Sequence, residues 1–306
     1  MRRIVGPIER KGSEDLAKSS TTAVDQSNLG QAPSNKPHIH QILLALVSQS
    51  RGRLISSPHN PLFKRWCRLL NSRGITQFHQ FFLFGEKVIP EILSHHSNQC
   101  DELITYTGSN FSLQIPPKVS CYRVAKTLFD KLDVFGTRFP LLVCQVREIP
   151  VLDLHHPPQG FEVLCPLGDP TNVGALIRTC LGFGVDKLVL LQEAAHPFHP
   201  KSTRAASGAI FDQPLYRGPS LEALTNGKIA RSIMALDVEG KDLSRFSWPL
   251  NVRLLVGEEG PGQPHYPFGK RLSIPMARKA NSLNATVAAS IALYAYRLQH
   301  PFSRSS

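Results

Sequence analysis

One segment of the chain, Leu-Gly-Asp-Pro-Thr-Asn-Val-Gly-Ala-Leu-Ile-Arg, places capping side chains at a fixed distance from an arginine. Asp169, Thr171 and Asn172 carry oxygens that can accept hydrogen bonds from the unpaired N–H groups of a helix N-terminus. Gly174 permits a second backbone segment to come close. Arg178 follows Asn172 by fewer than two helical turns, so both can lie near one edge of a site. The alternative is a capped helix with a solvated arginine.

Glycines and carboxylates alternate in a second segment, Val-Gly-Glu-Glu-Gly-Pro-Gly, at residues 256–262. Its glycines are Gly257, Gly260 and Gly262. They permit backbone angles and close approaches that other residues resist. The loop follows an apolar run, 252–256, and open α/β sheets bind ligands beyond the carboxyl ends of their strands. Glu258 and Glu259 would repel a phosphate, so a neutral or cationic ligand fits better. A tight turn without a ligand is the alternative.

A third segment reads Leu-Ser-Ile-Pro-Met at residues 272–276, and Asn-Ser-Leu-Asn follows at 281–284. Proline fixes φ and lacks an N–H donor, which suits a shaped loop wall after a short strand. The polar run leads into a helix predicted over 282–298, which Asn281 or Ser282 is expected to cap. The apolar residues that share a face of this helix are Leu283, Val287, Ile291, Tyr294 and Leu298.

Strand and helix patterns alternate from residue 161 onward. Short apolar runs predict strands at 161–167, 187–191, 233–236 and 252–256. Such continuous runs are typical of strands buried on both faces of a parallel sheet. The helix predicted for 172–181 has its apolar residues, Val173, Leu176, Ile177 and Cys180, on one face. The sequence therefore predicts an α/β domain with the three segments at its loops.

The rest of the chain predicts a flexible tail and a smaller α/β domain. Its organisation is predicted as a polar tail at 1–36, an α/β domain at 37–147 with a leading helix near 40–47, and a proline-rich linker at 148–160, before the domain at 161–306. Strands are predicted at 81–84, 103–104, 120–124 and 141–146, with a helix at 86–93. A helix at 60–70 would bury its apolar face and expose Lys64, Arg65 and Arg68 on another.

The charge of the chain points to a polyanionic partner. The formal net charge is +12, and the pI is near 9.6. Nucleic acid is the simplest such partner, although a generally basic surface is the alternative. No stretch approaches the roughly 18 uninterrupted apolar residues of a membrane helix.

The cysteines and histidines do not predict a metal site. The six cysteines are scattered and form no CxxC, which argues against zinc and against a disulfide framework. His196 and His199 have no third ligand at a suitable spacing, so no metal is expected. The N-terminus lacks a secretory apolar region, and a cytoplasmic location is expected.

Taken in order, the three segments resemble the signature motifs of the SpoU/TrmH branch of the SPOUT RNA methyltransferases. The family's Asn-x-Gly-x-x-x-Arg is matched by Asn172, Gly174 and Arg178. Its Gly-x-Glu-Gly-x-Gly is matched by Gly257, Glu259, Gly260 and Gly262, and its Ile-Pro-Met and Ser-Leu-Asn by residues 274–276 and 282–284. The resemblance covers about residues 160–300. Residues 52–147 resemble the small substrate-binding domain that precedes the catalytic domain in many ribosomal RNA members.

The resemblance implies an α/β fold with a C-terminal trefoil-knotted SPOUT domain around a parallel sheet. It also implies S-adenosylmethionine as cofactor and a homodimer formed partly by the last helix. The implied cofactor-binding residues are Leu236, Gly257, Gly260, Gly262, Ile274, Met276, Leu283 and Asn284. The implied catalytic residues are Arg178, Asn172, Glu259, Ser282 and Asn284. Whether Arg178 acts within its own protomer or across the dimer is left open.

The reaction that the resemblance implies is methyl transfer to a ribose 2′-hydroxyl of RNA. Ribosomal RNA is favoured over tRNA because of the extra N-terminal domain. A cationic Arg178 that stabilises the developing alkoxide is favoured over a deprotonated one, since the pKa of arginine is high. The main alternative is a catalytically inactive RNA-binding protein of the same fold. A nicotinamide enzyme is excluded because no Gly-x-Gly-x-x-Gly follows a first strand.

Overall fold

The computed structural model describes four stretches of the chain, residues 52–225, 228–257, 268–277 and 282–302. All of them belong to one compact unit. The predicted tail and the helix predicted near 40–47 lie outside the described residues. So do Glu259, Gly260 and Gly262 of the second segment and Asn281 of the third.

The described residues up to 147 form a mixed sheet of five strands with helices packed on it. The strands are β1 (Arg53–Ile55), β2 (Gln80–Leu83), β3 (Cys100–Tyr106), β4 (Ser120–Val124) and β5 (Leu141–Gln145). The helices are α1 (Pro61–Arg68), α2 (Ser72–Phe78), α3 (Val88–His95) and α4 (Lys126–Leu132). The strand order is β1-β4-β3-β5-β2, in which β5 runs antiparallel to both its neighbours. The predicted strands here and the helix predicted for 86–93 are confirmed, with shifted ends.

The basic face predicted for α1 is only partly exposed. Phe63 and Trp66 are buried, as their spacing predicts, and Lys64 and Arg68 are exposed. Arg65 instead donates to both carboxylate oxygens of Glu102 at 2.6 Å. Trp66 Nε1 donates to the same carboxylate at 2.8 Å. A buried carboxylate requires such donors, and this one takes Arg65 away from the solvent-facing basic surface.

The second sheet has six strands, and each pairs parallel to its neighbours. The strands are β6 (Phe161–Cys165), β7 (Lys187–Leu190), β8 (Leu215–Arg217), β9 (Ile233–Asp242), β10 (Val252–Leu255) and β11 (Lys270–Ser273), in the order β11-β9-β10-β6-β7-β8. The helices are α5 (Pro170–Gly182), α6 (Pro200–Ala206), α7 (Leu221–Leu224), α8 (Lys228–Ser232) and α9 (Ala285–Gln299). Every residue of β6 and β10 is buried, which confirms the predicted burial on both faces. Parallel pairing brings all carboxyl ends to one edge, where the three segments follow their strands.

The two sheets share one hydrophobic core. The rings of Phe81 on β2 and Phe198 lie 4.8 Å apart between centroids. Thr203 on α6 donates to the carbonyl of Phe82 at 2.8 Å. The guanidinium of Arg147, just after β5, donates to the carbonyls of Phe211 and Gln213. These contacts seat the first sheet beside the loop between β7 and α6.

A buried ion cluster holds the segment predicted as a linker. Arg253 Nε lies 2.8 Å from Glu162 Oε2, and both side chains are 1% exposed. Lys187 Nζ lies 2.9 Å from the other oxygen of Glu162. Burial alone would raise the pKa of Glu162, but hydrogen bonds from Lys187, the Gln159 backbone and Arg253 lower it, so the carboxylate is ionised. Arg253 also donates to the carbonyls of Leu154 and His156, at 2.9 and 3.1 Å. The linker is therefore fixed to the sheet by a strand arginine.

Gly174 is where α5 and α6 come closest. A Cβ atom built on Gly174 would lie 2.1 Å from the carbonyl oxygen of Ser202. This confirms the close backbone approach predicted for this glycine. Gly182, at the end of the same helix, has open space around it.

These two glycines give a matched stability test. We expect Gly174→Ala to destabilise the protein by about 1–3 kcal/mol, because backbone atoms of α6 must move. Gly182→Ala should be neutral or stabilise by up to about 1 kcal/mol, since alanine favours a helix and meets no neighbour. Urea unfolding followed by circular dichroism measures both. Equal stability of the two variants would contradict the close packing of α5 on α6.

Candidate active site

The first segment places Asp169 and Asn172 at the beginning of α5. The carboxylate of Asp169 accepts hydrogen bonds from the backbone N–H groups of Thr171 and Asn172, at 2.8 and 3.0 Å. Pro170 occupies the first turn, where no N–H partner is needed. The capping predicted for this segment is confirmed. Asn172 is thereby held in the first turn of a helix that starts from the carboxyl edge of the sheet.

The third segment caps α9 at a different residue from the one expected. The side chain of Asn284 accepts from the N–H groups of Thr286 and Val287, at 3.0 and 3.2 Å. The helix begins at Ala285, so the prediction that Ser282 caps it is wrong, and Asn281 lies outside the described residues. Each of these polar residues suits a cap, and the first and the last are only three positions apart in the sequence.

Asn172 joins the beginnings of α5 and α9. Asn284 Nδ2 donates to Asn172 Oδ1 at 3.2 Å. Thr286 Oγ1 donates to the main-chain carbonyl of Asn172 at 3.3 Å. Residues 112 positions apart in the sequence therefore meet side by side. The positive ends of two helices point into the same region, which favours negative charge there.

Arg178 lies on α5, beyond this contact, with its side chain exposed. Within the described stretches, no hydrogen bond or ion pair engages its guanidinium. The structure brings Asn172 and Asn284 together and places Arg178 on the same helix, without a direct bond to either amide.

Four of the eight residues expected to bind a cofactor lie in or just after three adjacent strands. Leu236 lies in β9, Gly257 follows β10, and Ile274 and Met276 follow β11. A Cβ atom on Gly257 would lie 3.7 Å from the Leu236 carbonyl, an ordinary contact, so these two loops are neighbours. Leu236 is buried and Ile274 packs against the core.

The pairing of β9 with β11 is interrupted next to Leu236. Arg271 pairs with Ala235, but the next residue, Leu272, pairs with Lys241. Residues 236–240 are therefore looped out of the pairing with β11. Ser273 Oγ donates a hydrogen bond to the carbonyl of Gly240 at 2.8 Å. This interruption begins at Leu236, whose carbonyl lies beside Gly257.

The two histidines of His-Pro-Phe-His have local partners. His199 Nδ1 accepts the N–H of Lys201 at 3.2 Å and caps α6. His196 Nδ1 accepts the N–H of Phe198 at 3.3 Å. Burial, with nearby Arg217 and His199, lowers the pKa of His196 to about 4. In the described part of the chain, no cluster of three His, Cys, Asp or Glu side chains could hold a metal ion.

Sequence reasoning missed Thr286, which binds the Asn172 carbonyl. Its signal is weak, because a threonine in a first helical turn usually marks only a local hydrogen bond. Sequence reasoning also missed Glu162 and Arg253, since a charged residue in an apolar strand gives no sign of its partner.

Comparison with known proteins identifies the part of the chain that holds these residues. Residues 162–294 match the SpoU rRNA Methylase family. These residues form a SpoU domain. The SpoU domain includes α5, the beginning of α9 and the carboxyl edge of the second sheet.

Similar proteins extend over more of the chain than the SpoU domain. A Syntrophobacter fumaroxidans protein named ribosomal RNA small subunit methyltransferase G 2 is 41% identical over 252 residues. The match covers 80% of this chain but 49% of that protein, so the chain spans about half of this relative. The Bacillus subtilis 23S rRNA (guanosine(2553)-2′-O)-methyltransferase RlmP is 26% identical over 249 residues, which are 79% of this chain and 98% of RlmP.

A solved structure shares the fold. The SpoU methyltransferase AviRb from Streptomyces viridochromogenes, in complex with the cofactor AdoMet, has a TM-score of 0.66 and 24% identity. The match covers 80% of this chain and 100% of that chain. The α/β fold with its parallel sheet is thus that of SpoU SPOUT methyltransferases. Residues 258–267 and 278–281 lie outside the described residues, and the trefoil knot stays a prediction.

Proposed function

We propose that this protein transfers the methyl group of S-adenosylmethionine to a ribose 2′-hydroxyl of ribosomal RNA. The contact between Asn172 and Asn284, inside a SpoU domain, is the observation that carries the proposal. RlmP and AviRb are named as a 2′-O-methyltransferase of 23S rRNA and as a SpoU methyltransferase that binds AdoMet, and this supports the reaction and cofactor. The relatives' names differ on the ribosomal subunit, so the target RNA is part of the test.

The loops beyond β9, β10 and β11 fit a molecule with a sulfonium, an adenine ring and an amino acid end. Leu236, Ile274 and Met276 provide apolar surface there, and the looped-out residues 236–240 provide backbone donors and acceptors. Gly257, Gly260, Gly262 and Leu283 would complete the binding site. Glu259 adds negative charge, which suits a cationic sulfonium. The bound cofactor supplies an activated methyl group.

The chain's own residues would align and activate the ribose. In-line methyl transfer requires the 2′-oxygen to be held about 3 Å from the methyl carbon. The hydrogen-bonded side chains of Asn172 and Asn284 have a fixed position from which they would hold the ribose. Arg178, as a cation, stabilises the negative charge that develops on the 2′-oxygen as the hydroxyl proton passes to solvent water. The N-termini of α5 and α9 add positive potential at the same place. Ser282 and Glu259 complete the proposed set.

The first sheet would position the RNA. Lys64 and Arg68 project from α1 into solvent, and the chain as a whole has a net positive charge. Contacts to phosphates fix the register of a nucleic acid without reading its sequence. We therefore keep the division into an RNA-binding domain at 37–147, a connector at 148–160 and a catalytic domain at 161–306. No helix in the described stretches is long and apolar enough to cross a membrane. A cytoplasmic location follows from the proposed RNA substrate.

The experiment uses the full chain, radiolabelled S-adenosylmethionine, and either rRNA or tRNA. We expect transfer to rRNA, with 2′-O-methylnucleosides found by mass analysis after nuclease digestion. Arg178→Ala should lower the rate by about 10²–10³-fold, because a transition-state cation is lost. Arg178→Lys should recover part of this loss.

Calorimetry with S-adenosylmethionine serves as the control, and its affinity should be unchanged in Arg178→Ala. Arg231→Ala removes an exposed arginine just before β9, at the opposite edge of the sheet, and should act as wild type. A chain that binds RNA but not the cofactor would support the inactive RNA-binding alternative. Normal transfer by Arg178→Ala would remove that residue from the mechanism.

Two substitutions of Asn284 separate its capping role from its contact with Asn172. Asn284→Asp keeps a good cap, so stability should change by less than about 0.5 kcal/mol. It replaces the Nδ2 donor by an acceptor, and we expect methyl transfer to fall about tenfold because the ribose is less well aligned. Asn284→Ala removes the cap too, so its free energy of unfolding should also fall by about 1 kcal/mol. Urea unfolding and the transfer assay measure the two effects. Full activity of Asn284→Asp would show that the amide pair does not serve the reaction.

A second copy of the chain is proposed to cover one face of α9. The predicted apolar face is not the buried one: the helix buries alanines, Leu293 and Tyr296. Val287, Tyr294 and Leu298 are 48, 57 and 65% exposed. Such an apolar stripe on a helix is typical of a protein interface.

Charge on this face should therefore separate the protomers. We expect Tyr294→Arg to give a monomer in sedimentation analysis, since an unpaired charge in an apolar interface is costly. Val134→Arg is the matched control, because Val134 is 51% exposed in the first half of the chain. A wild-type monomer would overturn the dimer. A folded, monomeric and active Tyr294→Arg would show that Arg178 acts within its own protomer.

A further inference from the structure

A cavity opens where the carboxyl ends of β7 and β8 meet the chain that leaves the first sheet. Its volume is about 310 Å³. Val146, Arg147 and Ile149 form one wall, the loop at 190–198 forms another, and Arg217 with Gly218 closes it. The proposed reaction uses none of these residues.

The lining of the cavity is apolar with a few polar groups. Ile149, Leu190 and Leu191 contribute aliphatic surface, and Phe198 contributes a ring. His196 is neutral at pH 7, since its pKa is lowered to about 4 by burial and by nearby cations. Its Nδ1 accepts the N–H of Phe198, so the hydrogen lies on Nε2, which can donate to a ligand.

Two cations line the cavity, and they differ in availability. Arg147 is engaged by the carbonyls of Phe211 and Gln213. Arg217 is exposed at the end of β8 and can reach a ligand in the cavity. Apolar surface, a neutral N–H donor and an exposed cation form a set that suits an aromatic ring with an attached phosphate.

The cavity is joined directly to the first segment. Ala195, which lines it, donates its N–H to the carbonyl of Leu167 at 2.8 Å, two residues before Asp169. The carbonyl of His196 accepts from Ser202 Oγ at 3.1 Å. Ser202 is the residue whose backbone lies against Gly174. One wall of the cavity is therefore bonded to Leu167, before Asn172, and to Ser202, which packs against Gly174 after it.

We propose that this cavity binds the base of a nucleotide adjacent in the RNA strand to the one that is methylated, with Arg217 on its phosphate. The inference rests on the proposed function, since it needs RNA along the carboxyl edge of the second sheet. Sequence-specific recognition of RNA uses bases that are unstacked and inserted against side chains. A cavity of this volume is at the lower end of those that hold small ligands, which fits a single base. A recognised neighbouring base would give the enzyme its sequence preference.

The test uses one variant that fills the cavity and two that remove its polar groups. Ala194→Leu adds bulk to the lining and leaves all charges in place. His196→Ala and Arg217→Ala remove the donor and the cation. Arg231→Ala removes a cation at the opposite edge and is the control for Arg217→Ala. Circular dichroism and calorimetry with S-adenosylmethionine establish that each variant is folded.

The probe is the RNA fragment that wild type binds, labelled with a fluorophore for anisotropy and also assayed for methyl transfer. We expect Ala194→Leu to weaken RNA binding and raise KM about tenfold, as loss of one stacked base does, with kcat within about twofold of wild type. His196→Ala and Arg217→Ala should show the same pattern, and substitution of the adjacent nucleotide by an abasic one should remove the difference from wild type.

Wild-type KM and RNA affinity in Ala194→Leu would overturn the proposal. Saturable binding of free nucleoside monophosphate that does not compete with RNA would also overturn it, because the cavity would then serve a small molecule. If wild type transfers no methyl group, the proposed function fails, but the anisotropy assay still tests the cavity.

Discussion

The contact between the first turns of α5 and α9 depends on Asn172, which binds α9 through both its side chain and its main chain. Two constraints hold that residue in place. Asp169 fixes the beginning of α5 at the edge of the sheet, and Gly174 lets α6 press against the helix one half-turn later. Neither constraint involves a ligand. The protein thus builds the region before any substrate arrives, which is what a preorganised site requires.

The sequence predicts much of this arrangement because its signals are local. Apolar runs mark the central strands, and a capping aspartate followed by proline marks α5. The same local signals fail where two alternatives are equally good. Ser282 and Asn284 both suit a helix cap, and packing against Asn172 selects Asn284, which no property of the segment itself reveals. The short edge strand β8 has only three residues, too few for a pattern.

Long-range charge pairs are the other limit of prediction. Glu162 and Arg253 lie 91 residues apart on strands that are otherwise apolar. Buried charges must be paired, but the sequence gives no partner for either until the strand order is known. Arg65 gives the opposite case: it has the spacing of a solvent-facing residue, and Glu102 from another strand binds it instead. The first motif could be predicted almost completely, whereas the groups that stabilise its surroundings could not.

The bonds from Arg253 to Leu154 and His156 change how the two halves of the chain can work together. These bonds add to the hydrophobic core that the two sheets share. Together, the core and a connector clamped to β10 set a single distance between the first sheet and the carboxyl edge of the second. If the proposed function holds, this fixed distance would limit which nucleotide of a folded RNA can reach the carboxyl edge of the second sheet while another part contacts α1.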